Sequence, residues 1–269
     1  MNLEVLYEDN HIIGVVTPPG VLSQSDGSEP AGEDMLSVIG EYLRVKYNKP
    51  GKAFVGLVHR LDRNVGGTML FAKTSKGASR LSAEMRSGSF KKGYFALAEG
   101  YIDTKNGILR HFLYKDEQRN IVTNNPKKGK ESILAYETVG RIGKYTLVFA
   151  LPITGRTHQI RAQLAFSGHP LADDVKYGGK RVSKGDISFP ALWSSVISVK
   201  HPTKDENIIL KLGVIPYSEK QVMSLQADIS NLQNWANGNG YTVEITEKEI
   251  TDGSYINNAI ISHSPRAKV

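Results

Sequence analysis

The chain has 269 residues, 40% of them hydrophobic, which suffices for one large domain or two small ones with a proper core. It contains no cysteine, and this excludes disulfides, thiolate nucleophiles and cysteine-ligated zinc or iron–sulfur centres. The net charge of +7 is uneven: residues 218–269 carry four Lys/Arg against six Asp/Glu, net −2, which leaves net +9 in residues 1–217. In chain order, Leu3–Tyr7 and Ile12–Val16 read as a hairpin around Glu8-Asp9-Asn10. Glu33–Lys46 has helical spacing at Met35, Val38, Ile39 and Tyr42. The apolar runs Phe54–Val58 and Thr68–Phe71 predict two strands with a turn between them. Ser75–Arg86 is a helix by its spacing at Ala78, Leu81 and Met85, with Ser75 as N-cap and Gly88 closing it. Tyr94–Tyr101, Ile108–Leu113, Ile133–Val139 and Tyr145–Leu151 predict strands, Arg156–Phe166 a helix, and Leu192–Lys200 and Ile208–Leu212 two further strands.

In the last fifty or so residues, Val222, Leu225, Ile229, Leu232 and Trp235 recur at steps of three and four, so Ser218–Ala236 reads as an amphipathic helix. Strands follow at Tyr241–Ile245 and Tyr255–Ile261. The expected organisation is a body of residues 1–217 and a helix-plus-hairpin extension, 218–269, packed on it. The fold class is α+β: a mixed, mainly antiparallel sheet with flanking helices, not a doubly wound sheet. No apolar run reaches membrane-spanning length and the N-terminus lacks the regions of a signal peptide, so the expected setting is the cytoplasm, without membrane contact.

The segment LVHRLDRNVGG, Leu57–Gly67, sets Asp62 between Arg60 and Arg63 and ahead of a glycine pair. A carboxylate on a turn is presented to ligands, and flanking arginines favour its ionised form while offering contacts for a phosphate backbone. Alone, the segment reads equally as a surface turn with an ordinary salt bridge. Lys91-Lys92, Lys127-Lys128-Lys130 and Lys180-Arg181-Lys184 are clusters suited to phosphates, or else a solvated lysine-rich surface. No histidine pair has metal-ligand spacing, so no metal is expected.

Four segments together resemble the RluA-type RNA pseudouridine synthases: the opening LYEDNHIIGVVTPPGVLSQ (Leu6–Gln24), HRLDRNVGG, KKGYFALAEG (Lys91–Gly100) and GRTHQIRAQLAFSGHPLADDVKYGG (Gly155–Gly179). The resemblance extends to His201-Pro202 and implies a sheet with an active-site cleft. It also implies isomerisation of uridine to pseudouridine in structured ribosomal or transfer RNA, with no cofactor. On that basis Asp62 is the nucleophile, attacking the base or the ribose; Arg161 pairs with it, and Tyr94 stacks on the target base near the proton leaving carbon five. Arg60 fills the gap left by the flipped uridine. His59, Arg156, Ile160 and Leu164 complete the substrate-binding set, with structural hydrogen bonding preferred for His59 and His158 over general-base work. A half-buried strand tyrosine and a core helix face are the plainer readings of Tyr94 and of Ile160 with Leu164.

Several positions depart from the family pattern. Thr17 precedes Pro18-Pro19-Gly20 where a lysine is usual, Val65 and Gly66 replace a threonine and a serine, Asp173 replaces a glycine, and Leu192-Trp193-Ser194 replaces leucine-histidine-alanine. They motivate an alternative, an RNA-binding or assembly factor that keeps the fold without turnover. An unrelated hydrolase using Asp62 on nucleotides finds no phosphate-cradling glycine loop to support it. Many members carry a small N-terminal RNA-binding domain, whereas this chain begins at the first hairpin, so recognition is expected from the body, the tail or a partner. A monomer is favoured.

Overall fold

The computed structural model describes residues 3–28, 30, 32–181, 189–211, 241–249 and 255–263. In chain order the elements are β1 (Val5–Glu8), β2 (Ile12–Thr17), α1 (Met35–Lys46), β3 (Gly56–Leu57), β4 (Gly66–Ala72), α2 (Ser75–Ser87) and β5 (Lys91–Glu99). There follow β6 (Asn106–Asp116), β7 (Ile121–Asn124), β8 (Lys130–Ile142), β9 (Tyr145–Pro152), α3 (Gln159–Phe166), β10 (Leu192–Lys200), β11 (Asn207–Lys211), β12 (Tyr241–Glu249) and β13 (Tyr255–His263). The class is α+β with a mixed sheet, as the sequence indicates. The chain divides into two compact units, residues 1–92 with 192–212 and residues 93–191 with 213–269.

In the first unit the strands run β1-β2-β4-β10, with β11 on β10 and β3 on β4. β2 pairs antiparallel with β4, whereas β10 joins β4 in parallel, Trp193 opposite Gly66 and Ser194 opposite Gly67. β4 is buried along its whole length, which is why GGTMLFA reads as a continuous run without alternation. One face packs Ile13, Val15, Met69 and Phe71 on Met35, Ile39 and Leu43 of α1. The other packs Ile12 and Leu70 on Leu81 of α2 and on Ile197 and Leu210. Asp34 caps α1 by accepting from the Ser37 N–H, and Lys73 and Lys46 reach Glu8 at 2.6 and 2.7 Å.

In the first unit the cap of α2 and the strand before the Asp62 loop differ from their predicted places. The N-cap of α2 is Thr74, not Ser75: Thr74 is extended, and its hydroxyl accepts from the Gly77 N–H at 3.0 Å. The strand expected over Phe54–Val58 contracts to Gly56–Leu57, where pairing with β4 is confined to two residues.

In the second unit the order is β5-β9-β8-β6-β7, antiparallel throughout. Through the pairs Tyr94 with Ala150, Ala150 with Tyr136 and Tyr136 with Gly107, the register puts Tyr94 on the same sheet face as Leu109, His111 and Leu113. α3 packs on this face, Ala162 against Leu113. The helix starts at Gln159 and not at Arg156, because His158 holds a left-handed φ of 51° that a helix cannot continue through. β12 and β13 form an antiparallel hairpin, in agreement with the two strands predicted there. The predicted helix 218–236 lies outside the described residues.

Candidate active site

The first unit carries Asp62 on the loop between β3 and β4. The loop is tied down at several points around the carboxylate. Leu61 N–H donates to Ser23 Oγ at 3.2 Å, Gly20 N–H donates to the Arg63 carbonyl at 2.7 Å, and Val65 N–H closes a turn on the Asp62 carbonyl at 2.9 Å. Asp62 is half-buried, while Arg60 and Arg63 are exposed beside it. His59 is buried and its Nε2 accepts from the Leu70 N–H at 3.1 Å, so the ring ties the start of the loop to the strand after it. With Nε2 accepting, the proton of the neutral ring sits on Nδ1. Burial, with the Lys92 charge adding to it, pushes its pKa down to about 3. His59 is therefore neutral at any physiological pH. This agrees with the structural role preferred for it from sequence.

Two departures from the family pattern in this loop fit one another. A Cβ on Gly66 would lie 2.2 Å from the Trp193 ring, so the indole occupies the space that a serine side chain at 66 would need. Gly67, at φ 121°, is fixed independently, since a Cβ there would lie 2.2 Å from the Ser194 carbonyl oxygen. The Gly66 and Trp193 exchanges are thus one compensated change in packing.

The second unit carries Tyr94, buried on β5, and Arg161, buried on α3. Arg161 donates from Nε to Asp174 Oδ2 at 2.7 Å and from Nη2 to Asp174 Oδ1 at 2.8 Å. Its guanidinium also lies 5.2 Å from the centre of the Tyr177 ring. Tyr177 is in turn held by the Val122 N–H at 3.0 Å and by His158 Nδ1 at 2.8 Å. In place of a capping N-cap side chain, Gln159 Oε1 accepts from Arg156 N–H and Thr154 Oγ1, while Gln159 Nε2 donates to the Ile133 carbonyl. Arg156 is exposed, reaching the Glu131 carbonyl, and Ile160 and Leu164 are buried.

The structure thus gathers His59, Arg60 and Asp62 on one loop, and Ile160, Arg161 and Leu164 on one helix that packs on the sheet face of Tyr94, with Arg156 on the segment leading into that helix. Sequence reading missed Asp174, Tyr177 and Ser23. Asp174 stood in plain view in LADDVKYGG, but nothing short of the turn geometry tells which of two adjacent aspartates faces the arginine. Among the described residues no group of three His, Asp or Glu side chains could hold a metal ion, and no helix is long and apolar enough to cross a membrane.

The RNA pseudouridylate synthase family profile matches residues 12–166, the span that holds Asp62, Tyr94 and Arg161. Ribosomal large subunit pseudouridine synthase C of Vibrio parahaemolyticus is 32% identical over 226 residues, covering 82% of this chain and 69% of that protein. The RNA pseudouridine synthase YjbO of Bacillus subtilis is 32% identical over 206 residues, 77% of this chain and 70% of its own. Among solved structures, human RNA pseudouridylate synthase domain containing 4 superposes with a TM-score of 0.65 at 17% identity, covering 84% of this chain and 93% of that one. Human RNA pseudouridylate synthase domain containing 1 gives 0.60 at 20%. At such identities the two human structures speak for the fold alone.

Proposed function

Because this chain belongs to the RNA pseudouridylate synthase family, we propose that it isomerises uridine to pseudouridine in structured RNA, with Asp62 as nucleophile and no cofactor. The observation that carries the reading is the family match over residues 12–166, together with the tied-down loop that presents a half-buried Asp62 between two exposed arginines. The names of the relatives favour ribosomal over transfer RNA as the substrate.

In this reading Asp62 attacks the base or the ribose, the glycosidic bond to nitrogen breaks, and the base turns and rejoins through carbon five; the bond to Asp62 breaks to return the carboxylate, and the proton lost at carbon five is matched by one gained at the freed ring nitrogen. Tyr94 supplies a flat, buried platform for the base and a hydroxyl at its edge. Arg161 is the motif's arginine, and its orientation is set by the bidentate grip of Asp174, which leaves the guanidinium little freedom. Arg60, exposed on the loop, takes the place vacated by the flipped uridine, which offsets part of an unstacking cost of a few kcal/mol. His59, neutral and committed to the Leu70 N–H, braces the loop and transfers no proton. Ile160 and Leu164 form the apolar wall behind the base, and Arg156 meets phosphate. The cytoplasm is the proposed site of action.

The test is pseudouridine mapping of total RNA from cells carrying wild-type or Asp62→Asn protein, by chemical adduct and reverse-transcription stops. A stop present only with wild type is the expected result and names the target nucleotide. Retained product in the Asp62→Asn cells would overturn the mechanism. An RNA-binding factor without turnover is the other reading, and its motivation weakens because the Gly66 and Trp193 departures compensate each other.

A further inference from the structure

The face of β6 turned away from α3 carries a stripe that the chemistry at Asp62 does not use. Strand alternation puts Asn106, Ile108, Arg110, Phe112 and Tyr114 on that face, while Leu113 on the other face is buried. Ile108, Phe112 and Tyr114 are 53, 42 and 36% exposed, large side chains left in water on one face with Arg110 between the first two. A lysine-rich turn is fastened to this stripe. Asn125 N–H donates to the Phe112 carbonyl at 2.7 Å, and the Asn124 side chain accepts from the Phe112 N–H at 3.0 Å. Asn125 Oδ1 then accepts from the N–H groups of Lys127 and Lys128, both at 3.1 Å. Gly129 packs so closely on the Phe112 carbonyl that a Cβ there would lie 2.2 Å from its oxygen. The outcome is that Lys128 Nζ stands 5.8 Å from the centre of the Tyr114 ring.

Charge separates this patch from an ordinary apolar edge. Arg110, Lys115 and Arg119 pair with Glu131, Glu117 and Asp116, but among the described residues Lys127, Lys128 and Lys130 have no carboxylate partner. Two exposed aromatic rings at alternate strand positions, with Lys128 held beside one of them and unneutralised lysines on the same turn, match the requirements of an unpaired polynucleotide: π-faces for bases and cations for the phosphates between them. A protein partner of acidic character would satisfy the lysines but leave the rings without a flat counterpart. A paired RNA helix would satisfy the lysines and conceal its bases from the rings.

We propose that Phe112, Tyr114 and the Lys127-Lys128 turn form a stacking platform for an unpaired RNA segment flanking the modified nucleotide, separate from the residues that handle the uridine. The platform rests on the proposed reading only in taking RNA as the substrate. A base stacked on each ring and a phosphate on each lysine make its contribution one of affinity, not of turnover.

The experiment measures binding of a fluorescent oligouridine of about 12 nucleotides and of a fully paired RNA duplex of the same length, across a salt series. The proteins are wild type, Phe112→Ala/Tyr114→Ala, Lys127→Gln/Lys128→Gln, and a control at exposed lysines elsewhere, Lys49→Gln/Lys76→Gln. All four positions in the two platform variants are exposed in whole or part, and a circular dichroism melt checks that the variants fold. Loss of the two rings should weaken oligouridine binding by roughly tenfold or more while changing duplex binding little. Loss of the two lysines should reduce the slope of log Kd against log salt by about 1.4, from about 0.7 per single-strand phosphate, with no change in the control. Unchanged oligouridine binding overturns the platform, as does an equal loss for duplex and single strand. So does a change confined to oligomeric state, which would assign the stripe to a second copy of the chain. Because binding is read directly, a failure here leaves the Asp62 test untouched, and the reverse holds too.

Discussion

The Arg161–Asp174 pair offers the most direct measure of how the second unit holds its buried arginine. The two side chains are 5% and 1% exposed and are joined by two charge-assisted bonds of 2.7 and 2.8 Å. Asp174→Ala breaks a buried ion pair from one side, removing both of the acceptors that Asp174 offers the Arg161 guanidinium, a change that costs about 3–5 kcal/mol. For a protein of this size 1 kcal/mol shifts the melting temperature by about 2–4 °C, so a fall of roughly 6–20 °C is expected. Asp174→Asn keeps the shape and one acceptor oxygen, and should cost about half as much. The backbone carbonyl of Asp174, which accepts from the N–H groups of Tyr177 and Gly179, is unaffected by either change, so the turn itself survives. Arg161→Met in the Asp174→Leu background removes the charge together with its partner, and stability should return to near the wild-type level. Urea denaturation of these proteins, together with the single Asp174→Leu and Arg161→Met variants, completes the cycle. A cost below about 1 kcal/mol for Asp174→Ala, or a double variant as unstable as the sum of its single changes, would refute the reasoning.

Gly66→Ser, which restores the residue usual in the family, should lower the melting temperature because its Cβ meets the Trp193 ring and Pro19 Cδ, and adding Trp193→Ala should recover only part of the loss. Gly67→Ala should be worse and not recoverable by any side-chain change, since the obstacle is the Ser194 backbone. For His59 the folded pKa of about 3 lies below the unfolded value, so acid favours unfolding. Its stabilisation is whole above about pH 6.5 and declines toward pH 3 by up to about 1.4 kcal/mol per pH unit. His59→Gln, which keeps an acceptor but no basic nitrogen, should flatten the stability profile measured by denaturation between about pH 6.5 and 5, and an unaltered slope there would remove His59 as the cause.

Much of the architecture was legible because burial leaves simple periodicities. YTLVFAL in β9 and TMLF in β4 read as strands, and the spacing of Met35, Val38, Ile39 and Tyr42 gave α1, of which Met35 and Ile39 are in the core. Errors fell where neighbouring residues compete for one role. Thr74 and Ser75 both carry hydroxyls, and only the extended backbone of Thr74 decides the cap. Likewise, Arg156-Thr157-His158 has nothing against helix in its composition, and the left-handed turn at His158 appears only once Gln159 has taken over the capping bonds. β7 is too short at four residues to show a pattern of its own. At the site, the motif residues stood out, but their supports did not. Asp174 grips Arg161 through a turn, and Trp193 reaches Gly66 through a strand pairing between residues distant in the chain.

That parallel pairing of β10 with β4 also sets a schedule for folding. The first unit is built from two separated stretches of chain, and Ser194, whose hydroxyl donates to the Thr68 carbonyl at 3.0 Å, emerges 126 residues later than its partner. At roughly 5–20 residues per second a ribosome takes about 6–25 seconds to cover that distance. During that interval the flank of β4 that β10 will occupy stays unpaired, while the whole β5-to-α3 segment of the second unit is completed. The Asp62 loop runs directly into β4, so its final bracing is among the last local structures to form. A nascent chain arrested before residue 192 would hold every ligand-facing residue discussed above and yet lack the strand that closes the first unit.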